Sequence, residues 1–295
     1  MQLSAIEAIF DTKNPVYQFT KRRFRYAWAK PLFLSVSASL TAGTVAAPMT
    51  FQTVVDVPRD AMFILTDVRY VAGGTLTNNG VLLWMGSESL SFANQYGEGV
   101  PLRFFAGVGQ RPFTLPYPHV VRPGNVVQVV LSNTENTSGT CTLVLGGIAI
   151  YLEEAPTEFK AEFEAFRNDY SFAYIRERIA SLASNVTLPI YVGGASDASG
   201  RNLYITTWLG NARDTVADTD SNVYITPVVM GGQMFFSLEG VDSRNLLGVA
   251  EYTNDVYPHI LGPFRGLEFR VENRNANAHS LEIELFGVSI KNERS

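Results

Sequence analysis

YPHVVRPGNVVQVVLSNTENTSGTCTLVLGGIAIY, residues Tyr117–Tyr151, and YPHILGPFRGLEFRVENRNANAHSLEIELFGVSIK, residues Tyr257–Lys291, align without a gap at an offset of 140. Eight of the 35 positions are identical: Tyr117/Tyr257, Pro118/Pro258, His119/His259, Pro123/Pro263, Asn133/Asn273, Leu145/Leu285, Gly147/Gly287 and Ile150/Ile290. Apolar exchanges surround them, among them Val129/Phe269, Leu131/Val271 and Leu143/Ile283. The same offset pairs Phe63–Thr66 with Leu203–Thr206. Self-similarity at a fixed offset is a tandem duplication, and two copies make two domains rather than a solenoid.

Each copy reads as a β unit. Leu267, Phe269 and Val271 alternate with Glu268, Arg270 and Glu272, the pattern of an antiparallel strand with one buried and one wet face. Asn133 and Asn273 then open polar loops, and second strands follow over Thr140–Leu145 and Ser280–Phe286. Gly147 and Gly287 lie inside the last strand, where glycine marks a bulge or a close backbone approach. Upstream, Leu32, Leu34, Val36, Ala38 and Leu40 alternate with Ser35, Ser37 and Ser39, a strand with a small polar face. About eight short strands per unit predict an all-β fold: two tandem jelly-roll-like antiparallel sandwiches joined by an α-helical segment. The expected organisation is an N-terminal arm over 1–20, sandwich one over 21–155, a helical connector over 156–184 and sandwich two over 185–295. The Gly- and Asn-rich stretches Asn78–Pro116 and Gly193–Asn222 read as loops at the sandwich ends.

The connector helix is placed over Thr157–Leu182. Phe159, Phe163, Phe166 and Tyr170 fall on one helical stripe, and Ile175, Ile179 and Leu182 continue it. The four aromatics are candidate assembly contacts. So is the segment around a strand at Arg23–Trp28, with Arg22, Arg23 and Arg25 set against Phe24, Tyr26 and Trp28. Between Thr12 and Val55 the chain has six basic residues and no acidic one. The net charge is −5, so the remainder carries −5 − 6 = −11. A basic segment on an acidic body points to a partner of its own, here a neighbouring copy. Nucleic acid is not an expected partner, residues 21–30 being the one place where it could bind.

The chemical inventory is thin. Charged residues are only 17% and apolar residues 46%, which excludes a disordered chain. The single cysteine, Cys141, allows no intrachain disulfide and no cysteine metal cluster. It aligns with Leu281 and reads as a packing residue. His119 and His259 share one repeat position, which suits a structural role at a turn or strand start, and His279 sits in a polar loop. The nucleophile-elbow, zincin and P-loop motifs are absent. Asp214, Asp218 and Asp220 offer oxygen ligands without the EF-hand spacing. No enzyme activity, cofactor or metal is therefore expected. Trp84, Trp208, Tyr252 and Tyr257 are candidates for stacking sugars. No apolar run reaches the roughly 18–20 residues of a membrane helix. The stretch Pro31–Leu40 reads as a strand rather than a secretory signal, so no membrane partner is expected.

Val57-Pro-Arg-Asp-Ala-Met-Phe63, Pro123-Gly124, Val129-Val-Leu-Ser-Asn133 and Leu143-Val-Leu-Gly-Gly147 together resemble the small β-sandwich proteins of tailed-bacteriophage virions, including auxiliary head and neck proteins. The resemblance covers most of residues 20–151 but only the terminal hairpin of copy two. That copy lacks the Pro-Arg-Asp turn, and its Pro-Gly is Pro263-Phe264. The duplication adds a likeness to double jelly-roll capsid proteins. The resemblance implies a non-enzymatic virion component, an auxiliary head, collar or neck protein made in the host cytoplasm. It would assemble as a homo-oligomer with other virion proteins. The alternatives are a receptor- or carbohydrate-binding tail protein and a double jelly-roll major capsid protein.

Overall fold

A computed structural model describes residues 28–77, 80–87, 90–91, 99–157, 160–161, 170–192, 201–214, 220–221, 223–229, 240–250, 254–261 and 267–291. The chain divides into two compact units at Phe172/Ala173. Unit 1 holds β1 (Ala29–Leu40), β2 (Met49–Asp56), β3 (Ala61–Gly74), β4 (Val81–Ser87), β5 (Leu90–Ser91), β6 (Val100–Pro101), the single-turn α1 (Leu102–Phe105), β7 (Phe113–Val121), β8 (Val126–Asn133) and β9 (Gly139–Tyr151). Unit 2 is built from β10 (Tyr170–Leu182), β11 (Thr187–Val192), β12 (Arg201–Asp214), β13 (Asp220–Ser221), β14 (Tyr224–Val229), β15 (Val241–Asp242), the single-turn α2 (Ser243–Leu246), β16 (Asn254–Leu261), β17 (Leu267–Glu272) and β18 (His279–Lys291).

In unit 1 one sheet runs β1-β9-β3-β7 and the other β2-β8-β4, with β5 and β6 on the far side of β4. In unit 2 the sheets run β10-β18-β12 with β16 beyond β12, and β11-β17-β14-β15. With β5 and β6 sharing one place, and the short β13 set aside, both units order eight strand positions as 1-8-3-6 and 2-7-4-5. That strand order, with its two Greek keys, is a jelly roll. Each core is filled from both sheets. In unit 2, Trp208, Leu281, Ile283 and Leu285 meet Ile225 and Val271, with Leu246 and Leu247 at one end.

Three details recur in the two units and account for identities of the repeat. First, the register of β3 slips between Leu65 and Asp67, and that of β12 between Ile205 and Thr207. The bulged residues are Thr66 and Thr206, whose hydroxyls donate to the carbonyls of Gly146 (3.2 Å) and Phe286 (3.4 Å). Second, Gly147 and Gly287 lie at this slip, where an added Cβ would run into the carbonyl oxygens of Ile64 and Tyr204. The close approach expected from the sequence is therefore real in both copies. Third, Asn133 and Asn273 are fully buried. Asn133 Nδ2 donates to the carbonyls of Thr41 and Thr137, and its Oδ1 accepts from the Glu135 N–H. Asn273 repeats this with Leu182, Asn277 and the N–H of Asn275. Each asparagine ties the loop before the last strand to the end of the first, and satisfies backbone groups that the turn leaves without ladder partners.

Several expectations are corrected. Residues 170–182 are not helix but β10, the first strand of unit 2, so the second sandwich begins there and not at residue 185. Helical backbone is present at Thr157 and at residues 160–161. Ile175 and Ile179 are four apart, a spacing that puts them on one face of a helix and equally on one face of a strand. Tertiary pairing decides: the segment lies beside β18 as the edge strand of its sheet. The stretch 78–116 contains β4, β5, β6, α1 and the start of β7, and 193–222 contains β12 and β13, rather than loops alone. His119 and His259 lie within β7 and β16, opposite Leu65 and Ile205, not at turns. His279 is the first residue of β18 and is buried.

Candidate functional site

The first sheet of each unit has one face on the core and one turned outward, and the two outward faces differ. In β18, Leu281, Ile283 and Leu285 belong to the core. Glu282, Glu284 and Phe286 therefore lie on the outward face. Register places Asn211, Leu209 and Thr207 of β12 opposite them. β10 contributes Tyr174, Arg176 and Arg178. Arg176 Nη2 donates to Glu282 Oε1 (3.0 Å), its Nε forms an ion pair with Glu284 Oε1 (3.1 Å), and Arg178 reaches Glu282 at 3.4 Å. The Tyr174 hydroxyl donates to Glu284 Oε2 at 2.5 Å, and its ring lies 5.1 Å from that of Phe286.

The part of this face around Arg176 and Glu284 is shielded from solvent, while Arg178 at its edge is exposed. Glu284, Phe286 and Leu209 are fully buried and Arg176 is 8% exposed. Burial pushes the Glu284 carboxyl up to about 8, against the pull of the Arg176 charge. Burial, then the neighbouring Glu284, holds the Tyr174 hydroxyl well above its ordinary value. For Arg176 burial opposes the charge, but Glu284 and Glu282 outweigh it and keep the guanidinium protonated. Such a network loses about 3–5 kcal/mol when one partner is removed, because the other is left buried and unpaired. Its chemistry is that of a lock between neighbouring strands, β10 and β18.

Unit 1 presents the same sheet in another state. Its outward face carries Phe33, Ser35, Ser37 and Ser39 of β1, Thr140, Thr142 and Val144 of β9, and Asp67, Arg69 and Val71 of β3. At the offset of 140, Val144 stands where unit 2 has Glu284, and Arg69 where it has Leu209. Here Val71 is 64% and Phe33 54% exposed, and Ser35, Ser37 and Thr140 are open. The charged pair neutralises itself, Arg69 Nε lying 2.6 Å from Asp67 Oδ1 with the guanidinium over the Phe33 ring.

Of the residues expected to make assembly contacts, Arg22, Arg23, Phe24, Arg25 and Tyr26 lie outside the described residues, as do Phe159, Phe163 and Phe166. Trp28 is half-buried, its carbonyl accepting from the Tyr151 N–H at 2.9 Å. Tyr170 opens β10, so it does not stand on a helical stripe. Trp208 is fully buried in the unit 2 core and cannot stack a sugar; Trp84 is half-buried in β4. The charged network was missed by the sequence reading, although it left a signal: like charges two apart in two strands, Arg176/Arg178 and Glu282/Glu284. Among the described residues no three His, Cys, Asp or Glu side chains gather as a metal set, and no helix is long and apolar enough to cross a membrane.

No protein-family model matches the chain, and no curated protein matches it. Solved structures do. The major capsid protein P2 from bacteriophage PM2 is 12% identical, with a TM-score of 0.44 over 90% of this chain and 99% of that one. PBCV-1 VP54, fitted into a reconstruction of the virophage Sputnik, is 10% identical, with a TM-score of 0.39 over 90% of this chain and 96% of that one. The triple jelly-roll protein of an archaeal virus is 9% identical, with a TM-score of 0.27 over 91% of this chain and 61% of that one.

Proposed function

We propose that this chain is a non-enzymatic building block of a virus coat, working as a homo-oligomer in the virion alongside other virion proteins. The observation that carries the proposal is the duplication itself: two jelly rolls of identical strand order in one chain, each closed by the same asparagine, glycine and bulge. Jelly rolls recur in viral shells and in lectins; the warrant is one of fold. Duplication gives each chain two near-equivalent bodies, so each chain brings two similar packing units to a closed, symmetric shell. This favours a shell subunit over the auxiliary head, collar or neck role that the sequence resemblance implies. The N-terminal segment, residues 1–20, would serve as an arm onto a neighbouring copy. Immunogold electron microscopy of purified particles, with an antibody to this chain, tests the reading. Label over the whole shell supports it, label at one vertex returns the auxiliary role, and particles without label overturn it.

A further inference from the structure

The two units share most of what guides a last strand to its place. The core face of β9, with Cys141, Leu143 and Leu145, matches that of β18, with Leu281, Ile283 and Leu285, and all of these are buried. The glycine of close approach and the threonine bulge are common to both. One chain therefore holds two first strands, β1 and β10, and two last strands whose core faces do not tell them apart. Exchange of strands between like domains is a characteristic failure of tandem repeats, and it can link chains as well as scramble one. The outward faces are where the two pairs differ. β1 sets Ser35 against Val144 and Ser37 against Thr142, the Ser37 and Thr142 hydroxyls lying 2.9 Å apart. At the offset of 140 those partners become Glu284 and Glu282, and β10 meets them with Arg176 and the Tyr174 hydroxyl.

We propose that the network of Tyr174, Arg176, Glu282 and Glu284 is a pairing code, which directs β10 to β18 and keeps β1 away from it. Set beside β18 in the register it has on β9, β1 would bring only serines to Glu282 and Glu284. Glu284, fully buried in its place, would lose both Arg176 and Tyr174. Set beside β9, β10 would bring Arg176 to Val144 and Thr142. Arg69 stands across from Val144 and already holds Asp67, so the carboxylate on that face is taken. A buried charge stripped of its partner is strongly destabilising, whereas an intact buried pair adds little over apolar side chains of the same size. The network thus works through the wrong pairings it excludes, which is how specificity differs from affinity. Single buried polar groups fix register and partner in coiled coils in the same way.

Disulfide mapping of the refolded full chain tests this. Ser39 lies opposite Thr140, and Ser280 is the counterpart of Thr140 in unit 2. Ser39→Cys with Ser280→Cys therefore reports β1 beside β18. The chain is refolded from urea under reducing conditions and then oxidised, and the disulfide between positions 39 and 280 is measured by peptide mass spectrometry. The same chain oxidised without unfolding gives the background, and Cys141 is buried and does not compete. With the network intact the disulfide should stay at background. Arg176→Ser, Glu282→Thr and Glu284→Val together give unit 2 the side chains of unit 1 and should raise it roughly tenfold. Ser35→Arg with Ser37→Arg gives β1 the charges of β10 at two exposed positions, and should raise it with the network untouched. That arm decides alone should the triple variant fail to fold. A network that only stabilises unit 2 would lower the melting temperature of the triple variant and leave the disulfide at background in both arms, and that result overturns the code. A disulfide as abundant with the network intact as without it overturns the code equally.

Discussion

Glu284 binds its proton more tightly than a free carboxyl does, because burial outweighs the attraction of Arg176. Between the ordinary value of 4.5 and about 8, the folded chain keeps a proton that the unfolded chain has released. Stability contributed by this group is therefore present at low pH and declines as pH rises through that window. Glu284→Gln fixes the neutral form and keeps an acceptor for Tyr174. Its melting temperature, relative to the parent, should rise from about pH 5 to about pH 8 in calorimetry; a constant difference would show that the carboxyl is ionised throughout. Cys141 makes a second prediction at this scale. It is fully buried in β9 and its thiol is pushed up to about 11 by that burial. Native protein should resist maleimide at neutral pH and react fully once unfolded, since the thiolate is the nucleophile.

The loops before β9 and β18 depend on one side chain each. Asn133→Ala and Asn273→Ala strip a buried turn of its partners, and each should cost about 2–4 kcal/mol. Circular dichroism melts should show only the unit carrying the change melting early. Much at this scale was legible beforehand. The alternation in Leu32–Leu40 became β1, and the duplicated Asn, Gly and Thr positions became the lock, the close approach and the bulge. Local patterns of that kind record backbone geometry directly. β10 was not legible, because an apolar spacing of four satisfies a helix and a strand alike. The network on its outer face was hidden for another reason. Arg176 and Glu284 meet only once β10 lies beside β18, and no window of sequence contains both.

Across the whole chain, every described strand lies from Ala29 onward. Deleting residues 1–20 should therefore leave both units folded, with an unchanged circular dichroism spectrum. The arm reading adds that the shortened chain fails to enter particles, which co-expression and particle purification would measure; a truncation that unfolds would place the segment in the core instead. The order of the strands has a further consequence, for synthesis. β1 pairs along its whole length with β9, Ala29 opposite Ile150 and Leu40 opposite Gly139. A nascent chain leaving the ribosome thus carries its first strand unmatched until the last strand of that unit has emerged. Pairings between distant residues make folding slow, and unmatched strands invite association with other nascent chains. Unit 1 closes only when Tyr151 is out, and unit 2 must then wait in the same way for β18.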